Sequence, residues 1–399
     1  MDHFSIFDAD NHYYETTDAF TRFLPKRYDG LIKYVEVDGR TKLAIRNVIS
    51  EYIPNPTFNV VAPPGRFEIA YRLKNPDSKT APGEKQELPP RYEKSIPAYF
   101  EPEPRIKLMD ELGVDRTLLW PTLATLIEER LADDPVTTHD VVHAFNRWLH
   151  DQWSFGFQDR IFAAPLITLP IVDKAIEELE WALEHGARVI LVRPAPVPDF
   201  NGRRRSFALP EFDPFWARVE EAGVLVGMHG GDTGFQRYLN DYEGHTGEFL
   251  PFDAGISGFT KLVNAESRPI VDVISSIVGH GLLARFPKLR MLPIETGSAW
   301  VLPLLAKFKK VYGRSSAAFA EDPMEGFERC IWIHPFHEED TVNLAREIGP
   351  HKVTFGSDYP HPEGLDKPRA FVHELDGLEE ADQRKIMGGN LAALMNAAA

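Results

Sequence analysis

The chain has 399 residues, 43% hydrophobic and 26% charged, enough apolar material for a large core beneath a polar surface. Its 60 acidic and 44 basic side chains leave a net charge of −16, which argues against a nucleic-acid partner, because phosphate backbones favour basic proteins. A single cysteine, Cys330, excludes an intrachain disulfide framework, and no run approaches the ~20 apolar residues of a membrane-spanning helix.

The N-terminus, MDHFSIFDADNH, has no basic region followed by an apolar run, so no secretory signal is read and a cytoplasmic location is expected. Phe4–Asp8 reads as the first strand. A long excursion follows, residues 30–104. Its first part, Leu31–Val37, Asp38-Gly39 and Thr41–Val48, carries a hairpin signal. Its second part, Pro54 to Pro104, is dense in proline and charge and is too long for an ordinary loop. A helix opens near Pro104 and leads into a strand at Arg116–Trp120. The spacing of Val141, Val142, Phe145, Trp148 and Leu149 predicts a helix over Pro135–Phe155. A strand at Ile161–Leu166, a helix over Asp173–His185 stopped by Gly186, and a strand at Ala187–Val192 come next. The basic run Arg203-Arg204-Arg205 reads as a solvated loop. Further strands are expected at Val224–His229, Leu289–Glu295, Cys330–His334 and Val353–Ser357. Strands alternating with helices predict an α/β fold, a (β/α)8 TIM barrel with a long insertion after the first strand. The expected organisation is one domain, 1–399, with 30–104 as a lid or subunit contact.

Three strand ends carry metal-ligand chemistry. Side chains two apart on a strand point the same way, so Asp10 and His12 can meet one cation together. The apolar run Val224–Met228 ends in His229, and Val353–Ser357 ends in Asp358. All three places are carboxyl ends of barrel strands, where barrel enzymes keep their sites. Two imidazoles and two carboxylates suit zinc, with manganese or iron as alternatives.

Four stretches carry a family resemblance: Arg105–Asp115, Phe286–Arg290, Phe355-Gly356-Ser357-Asp358-Tyr359-Pro360-His361, and Lys385–Asn390. They resemble the amidohydrolase superfamily, specifically its amidohydrolase-related branch, which includes aminocarboxymuconate semialdehyde decarboxylase and resorcylate decarboxylases. The resemblance implies that Asp10 and His12 are the first-strand ligand pair, His229 the fifth-strand ligand and Asp358 the eighth-strand one. The sixth strand departs from the pattern, with Glu295 where the decarboxylases place a histidine.

A divalent ion lowers the pKa of bound water and polarises a carbonyl. Asp358 and Glu295 are accordingly the candidate proton acceptors. Arg193 is a candidate anchor for a substrate carboxylate, since its planar fork matches one. His334, His337 and Trp300 are candidates to border the substrate; His361 is read as shaping its loop, His280 and Trp332 as structural, and Glu15 as a ligand support or helix start. The expected function is a metal-dependent hydrolase acting on a small carbonyl-containing molecule through activated water. The alternatives are a nonoxidative decarboxylase of an aromatic or unsaturated carboxylic acid, and a catalytically silent binding barrel. A small-molecule substrate and a homodimer or higher homo-oligomer are the expected partners.

Overall fold

The computed structural model describes residues 5–74, 87–248, 250, 257–263 and 267–396. Residues 1–4 and the charged stretch 75–86 of the excursion, both given expectations above, lie outside the described residues.

Short apolar runs buried on both faces pair in parallel, as strands covered by helices do. Phe7–Asp8 pairs with Arg116–Leu119, which pairs with Ile161–Ala163. Val189–Leu191 pairs with Leu225–His229, and that strand with Arg290–Ile294. Isolated parallel bridges supply the remaining joints: Leu166 to Leu191, Met291 to Ile331, Ile333 to Val353, and Asn11 to Tyr359. The pairings therefore visit eight parallel segments in chain order and return from the last to the first. The class is α/β.

The last two segments are not the strands expected. Cys330 closes the helix Pro323–Cys330, and neither Cys330–His334 nor Val353–Ser357 forms a ladder. For the eighth segment the reason lies in its amides. Phe355 donates to the Ile386 carbonyl and Ser357 to the Asp8 carboxylate, so these donors are not free for a neighbouring strand.

The helices lie close to their expected positions. Pro135–Trp153 starts where Asp134 accepts the Thr137 amide at 3.1 Å, and it buries Val141, Val142, Phe145, Trp148 and Leu149. Val172–Glu184 ends ahead of Gly186, whose φ of +89° an L side chain rarely adopts.

The excursion begins as a meander, Ile32–Val37, Arg40–Ile45 and Val48–Ser50, turning at Asp38-Gly39 and again at Arg46-Asn47. The second turn was not expected; Arg46 and Asn47 both take positive φ, 50° and 62°. Further on, the Gly65 and Phe67 amides donate to the carbonyls of His361 and Pro362 at 3.2 and 2.7 Å. Phe58 stacks on Tyr14, with ring centroids 4.3 Å apart. This part of the excursion thus lies against the loop that follows Asp358. Its Ile32, Leu43, Ile45, Phe58 and Val61 join the same buried apolar cluster as Ile6 and Met395.

Candidate metal centre

Asp10, His12, His229 and Asp358 leave the ends of three parallel segments and converge. His12 Nε2 lies 3.3 Å from Asp10 Oδ1, 3.3 Å from Asp358 Oδ1 and 3.2 Å from His229 Nε2. His229 Nε2 is 3.4 Å from Asp10 Oδ1. Asp10, His12 and His229 are buried, and Asp358 is nearly so.

The tautomers follow from the neighbours. His229 Nδ1 faces the Gly230 carbonyl at 2.9 Å and Glu295 Oε2 at 3.3 Å, both acceptors, so Nδ1 carries the proton and Nε2 offers a lone pair. Burial, then the nearby His361 ring, holds His12 well below the usual histidine range, as a neutral imidazole with a lone pair of its own. Burial pushes the Asp10 carboxyl up, but the adjacent His12 and His229 rings outweigh it and hold Asp10 well below its usual value, so it faces the two rings as an anion. Its Oδ2 has no hydrogen-bond partner among the described residues.

This donor set fits a divalent cation. Donors ~2.0–2.1 Å from a tetrahedral ion stand ~3.3 Å apart, close to the spacings found. Lone pairs facing one another at such distances repel unless a positive charge sits between them. Glu295 adds the support expected of a carboxylate beside a ligand histidine, orienting His229 through Nδ1.

Glu295 ends the strand Arg290–Ile294 with φ of +52°, and Asp358 has φ of +55°. Burial of the Glu295 carboxyl, and then the Asp358 carboxylate, push it well above the usual carboxylate range, although the His229 ring pulls the other way. A Cβ on Gly230 would lie 2.9 Å from the Glu295 carbonyl and 3.2 Å from Oε2, so this approach requires glycine.

The other expected residues divide. His334 is buried, its Nδ1 accepting the Glu295 amide at 3.4 Å and lying 3.7 Å from Asp10 Oδ2, so it borders the centre. His361 does more than shape its loop. Its Nδ1 sits 2.7 Å from Asp358 Oδ1, its Nε2 3.1 Å from Thr122 Oγ1, and its ring lies 3.9 Å from that of His12, tilted by 31°.

Three residues expected to bind substrate have partners within the protein. Arg193 is held by the Glu129 carboxylate and the Asp232 carbonyl, so its fork is engaged in a structural ion pair. His337 turns to Glu68 Oε2 of the excursion helix Arg66–Lys74, at 3.3 Å, and to Glu338. Trp300 is 6% exposed and donates Nε1 to the Gly297 carbonyl, a packing role. The arginine run is also not simply solvated: Arg203 pairs with Asp199, Arg204 with Glu129 and Arg205 with Glu211. Glu15 accepts the amides of Thr122, Leu123 and Ala124 through Oε1, fixing the loop beneath His361.

Sequence reasoning missed Asp8, Asn11 and Arg105. Asp8 carried a signal, since it stands two before Asp10 in Phe7-Asp8-Ala9-Asp10 and so shares its strand face.

Comparison with known proteins places this geometry. The model of the amidohydrolase family matches residues 68–395. An amidohydrolase from Mycobacterium avium subsp. paratuberculosis K-10 is 36% identical over 98% of this chain and 99% of its own, with a TM-score of 0.88. A dihydroxybenzoic acid decarboxylase from Polaromonas sp. JS666, solved with bound manganese and the inhibitor 2-nitroresorcinol, is 15% identical with a TM-score of 0.58, covering 98% of this chain and 97% of its own. The 2-amino-3-carboxymuconate-6-semialdehyde decarboxylase of Dictyostelium discoideum is 22% identical over 185 residues, 45% of this chain. That match spans 47%, about half, of the curated relative's length. The chain belongs to the amidohydrolase family and is an enzyme of that family.

Proposed function

We propose that the eight parallel segments form a (β/α)8 barrel in a single domain, 1–399, with 30–104 as an insertion lying over the carboxyl ends of the strands. Asp10, His12, His229 and Asp358 would hold one divalent metal there. Zinc and manganese both suit these donors, and manganese is bound in the Polaromonas decarboxylase.

The reading we favour is a metal-dependent nonoxidative decarboxylase of a small aromatic or unsaturated carboxylic acid. The observation that carries it is Glu295. Its Oε2 stands 3.3 Å from His229 Nδ1, at the edge of the proposed centre, and burial and the Asp358 carboxylate push its pKa up. A carboxyl so placed can carry a proton to carbon, as loss of carbon dioxide requires, whereas hydrolysis begins with a proton removed from water. The bound ion would supply positive charge that steadies the oxygens of the substrate. The bond from carbon to the carboxylate breaks, carbon dioxide leaves, and the electron pair left on carbon takes the Glu295 proton. Solvent then reprotonates Glu295. His334 and His361 border the space and orient what enters it. The named activities of the Dictyostelium and Polaromonas proteins agree with this reading.

Hydrolysis through activated water is the second reading. It is favoured by Asp358, whose Oδ1 lies 2.7 Å from His361 Nδ1, because a carboxylate backed by a histidine can accept a proton.

Incubating the metal-loaded protein with aromatic and unsaturated carboxylic acids in deuterium oxide tests the choice. We expect carbon dioxide release, deuterium at the vacated carbon, and loss of both after chelation. Heavy oxygen from water entering a cleaved carbonyl product, with no carbon dioxide from any acid, would overturn the decarboxylase in favour of the hydrolase.

A further inference from the structure

The proposed ligands come from segments about as far apart in sequence as the chain allows, yet His12 Nε2 and Asp358 Oδ1 stand 3.3 Å apart. Ordinary strand pairing supplies little of that precision. The Asp10 carbonyl accepts both the Ser357 amide, at 3.2 Å, and the Asp358 amide, at 2.7 Å, in place of a regular ladder.

The Asp8 carboxylate fills the gap. Its Oδ1 accepts the Asp10 amide at 3.1 Å and the Ser357 amide at 2.9 Å. Its Oδ2 accepts Asn11 Nδ2 at 3.0 Å and the Ser357 hydroxyl at 2.5 Å. Each oxygen thus takes one donor from the first segment and one from the eighth. The network continues outward. Asn11 Oδ1 accepts Arg105 Nη1, while Arg105 donates Nη2 to the His12 carbonyl at 2.7 Å and Nε to the Ala98 carbonyl at 2.6 Å. Asp8, Asn11, Arg105 and Ser357 are all buried. A buried carboxylate is costly unless its lone pairs are filled and a cation is near, and here Arg105 is linked to Asp8 through one amide.

We propose that Asp8, supported by Asn11 and Arg105, is a positioning residue that sets the spacing between Asp10 and His12 on one side and Asp358 on the other. This rests on the metal-site reading above. Only a carboxylate satisfies the four donors. An amide at position 8, in either orientation, turns its NH2 towards donors from both segments. With the NH2 in the place of Oδ2, an aspartate at position 11 would accept from it and still receive Arg105 Nη1, and the Ser357 hydroxyl can rotate to accept as well, so moving the charge from 8 to 11 restores most of the network.

The test uses the full chain in four forms: unmodified, Asp8→Asn, Asn11→Asp and the double variant. Affinity for manganese and zinc is measured on folded protein. The visible spectrum of the cobalt-loaded form reports ligand geometry, and thermal unfolding of the metal-free proteins is followed separately. Asp8→Asn should lose ~10–100-fold in metal affinity and change the cobalt spectrum, and the double variant should recover most of both. Ser357→Ala, which removes one of the four donors, should weaken metal binding in the same direction if Asp8→Asn does not fold. Unchanged affinity and spectrum in folded Asp8→Asn, or in Ser357→Ala should the first not fold, overturns the proposal, as does a double variant no better than the single one. Failure of the unmodified protein to take up any of the three metals would instead overturn the metal-site reading.

Discussion

Glu295 and Asp358 are non-glycine residues in the left-handed region, and both sit at the proposed centre. Such conformations cost on the order of 1–3 kcal/mol each and persist where the surroundings over-determine them. Here the surroundings are the His334 ring, which accepts the Glu295 amide, and the Asp10 carbonyl, which accepts that of Asp358. The turn brings each carboxyl back towards the ligands. Glu295→Gln separates proton transfer from positioning, because a glutamine carbonyl can still accept from His229 Nδ1 but cannot deliver a proton. Turnover should fall ~10²–10⁴-fold while metal content stays near that of the unmodified protein. Kinetics and elemental analysis of the same preparation check this; full turnover per bound metal, with weakened metal affinity, would reduce Glu295 to a support for His229. At this scale the sequence was informative where strand ends alone decide direction. Asp10, His12, His229 and Asp358 meet because each ends or follows an apolar run that the fold converges. Arg193 and His337 also follow such runs, yet they turn to Glu129 and Glu68, and the partners of a long side chain are not written in its own neighbourhood.

Among the elements, the strand Leu225–His229 shows how a ligand is held by its neighbours. A Cβ on Gly227 would lie 2.2 Å from Trp120 Cη2 and 2.7 Å from Cζ3. The indole cannot move aside cheaply. It is fully buried, and its Nε1 donates to the Ala9 carbonyl at 2.8 Å, one residue before Asp10. Gly227→Ala should therefore destabilise the protein by ~1–3 kcal/mol through overpacking. Gly313→Ala, in the helix Val301–Ser315 with open space where its Cβ would go, should instead stabilise by ~0.5–1 kcal/mol. Urea denaturation of the two variants reads the opposite signs; equal shifts would show that glycine entropy, not the Trp120 contact, dominates. The helices and the Asp-Gly turn were legible because their signals are local. The second turn of the meander was not, since Arg46 is not a residue type that announces positive φ. The eighth segment is as apolar as a strand, but its Phe355 and Ser357 amides bind the Ile386 carbonyl and the Asp8 carboxylate, which periodicity does not register.

For the whole molecule, the proposed centre joins the first and last of the parallel segments, so ion binding and the native pairing of those segments are linked. A ligand that binds only the folded form adds stability of RT ln(1 + [L]/Kd), ~4 kcal/mol at a thousandfold excess over Kd. Manganese or zinc should raise the melting temperature in a concentration-dependent way and chelator should lower it, as calorimetry would show; a melting temperature indifferent to both would argue against a folded-state ion. The same arrangement bears on how the protein is made. Asp10 and His12 leave the ribosome well before His229, and His229 well before Asp358 and the Ser357 that meets Asp8. Until Asp358 emerges the site holds at most Asp10, His12 and His229, and its fourth ligand arrives together with the Ser357 that Asp8 grips. Completion of the four-ligand set would then mark the docking of the eighth segment against the first.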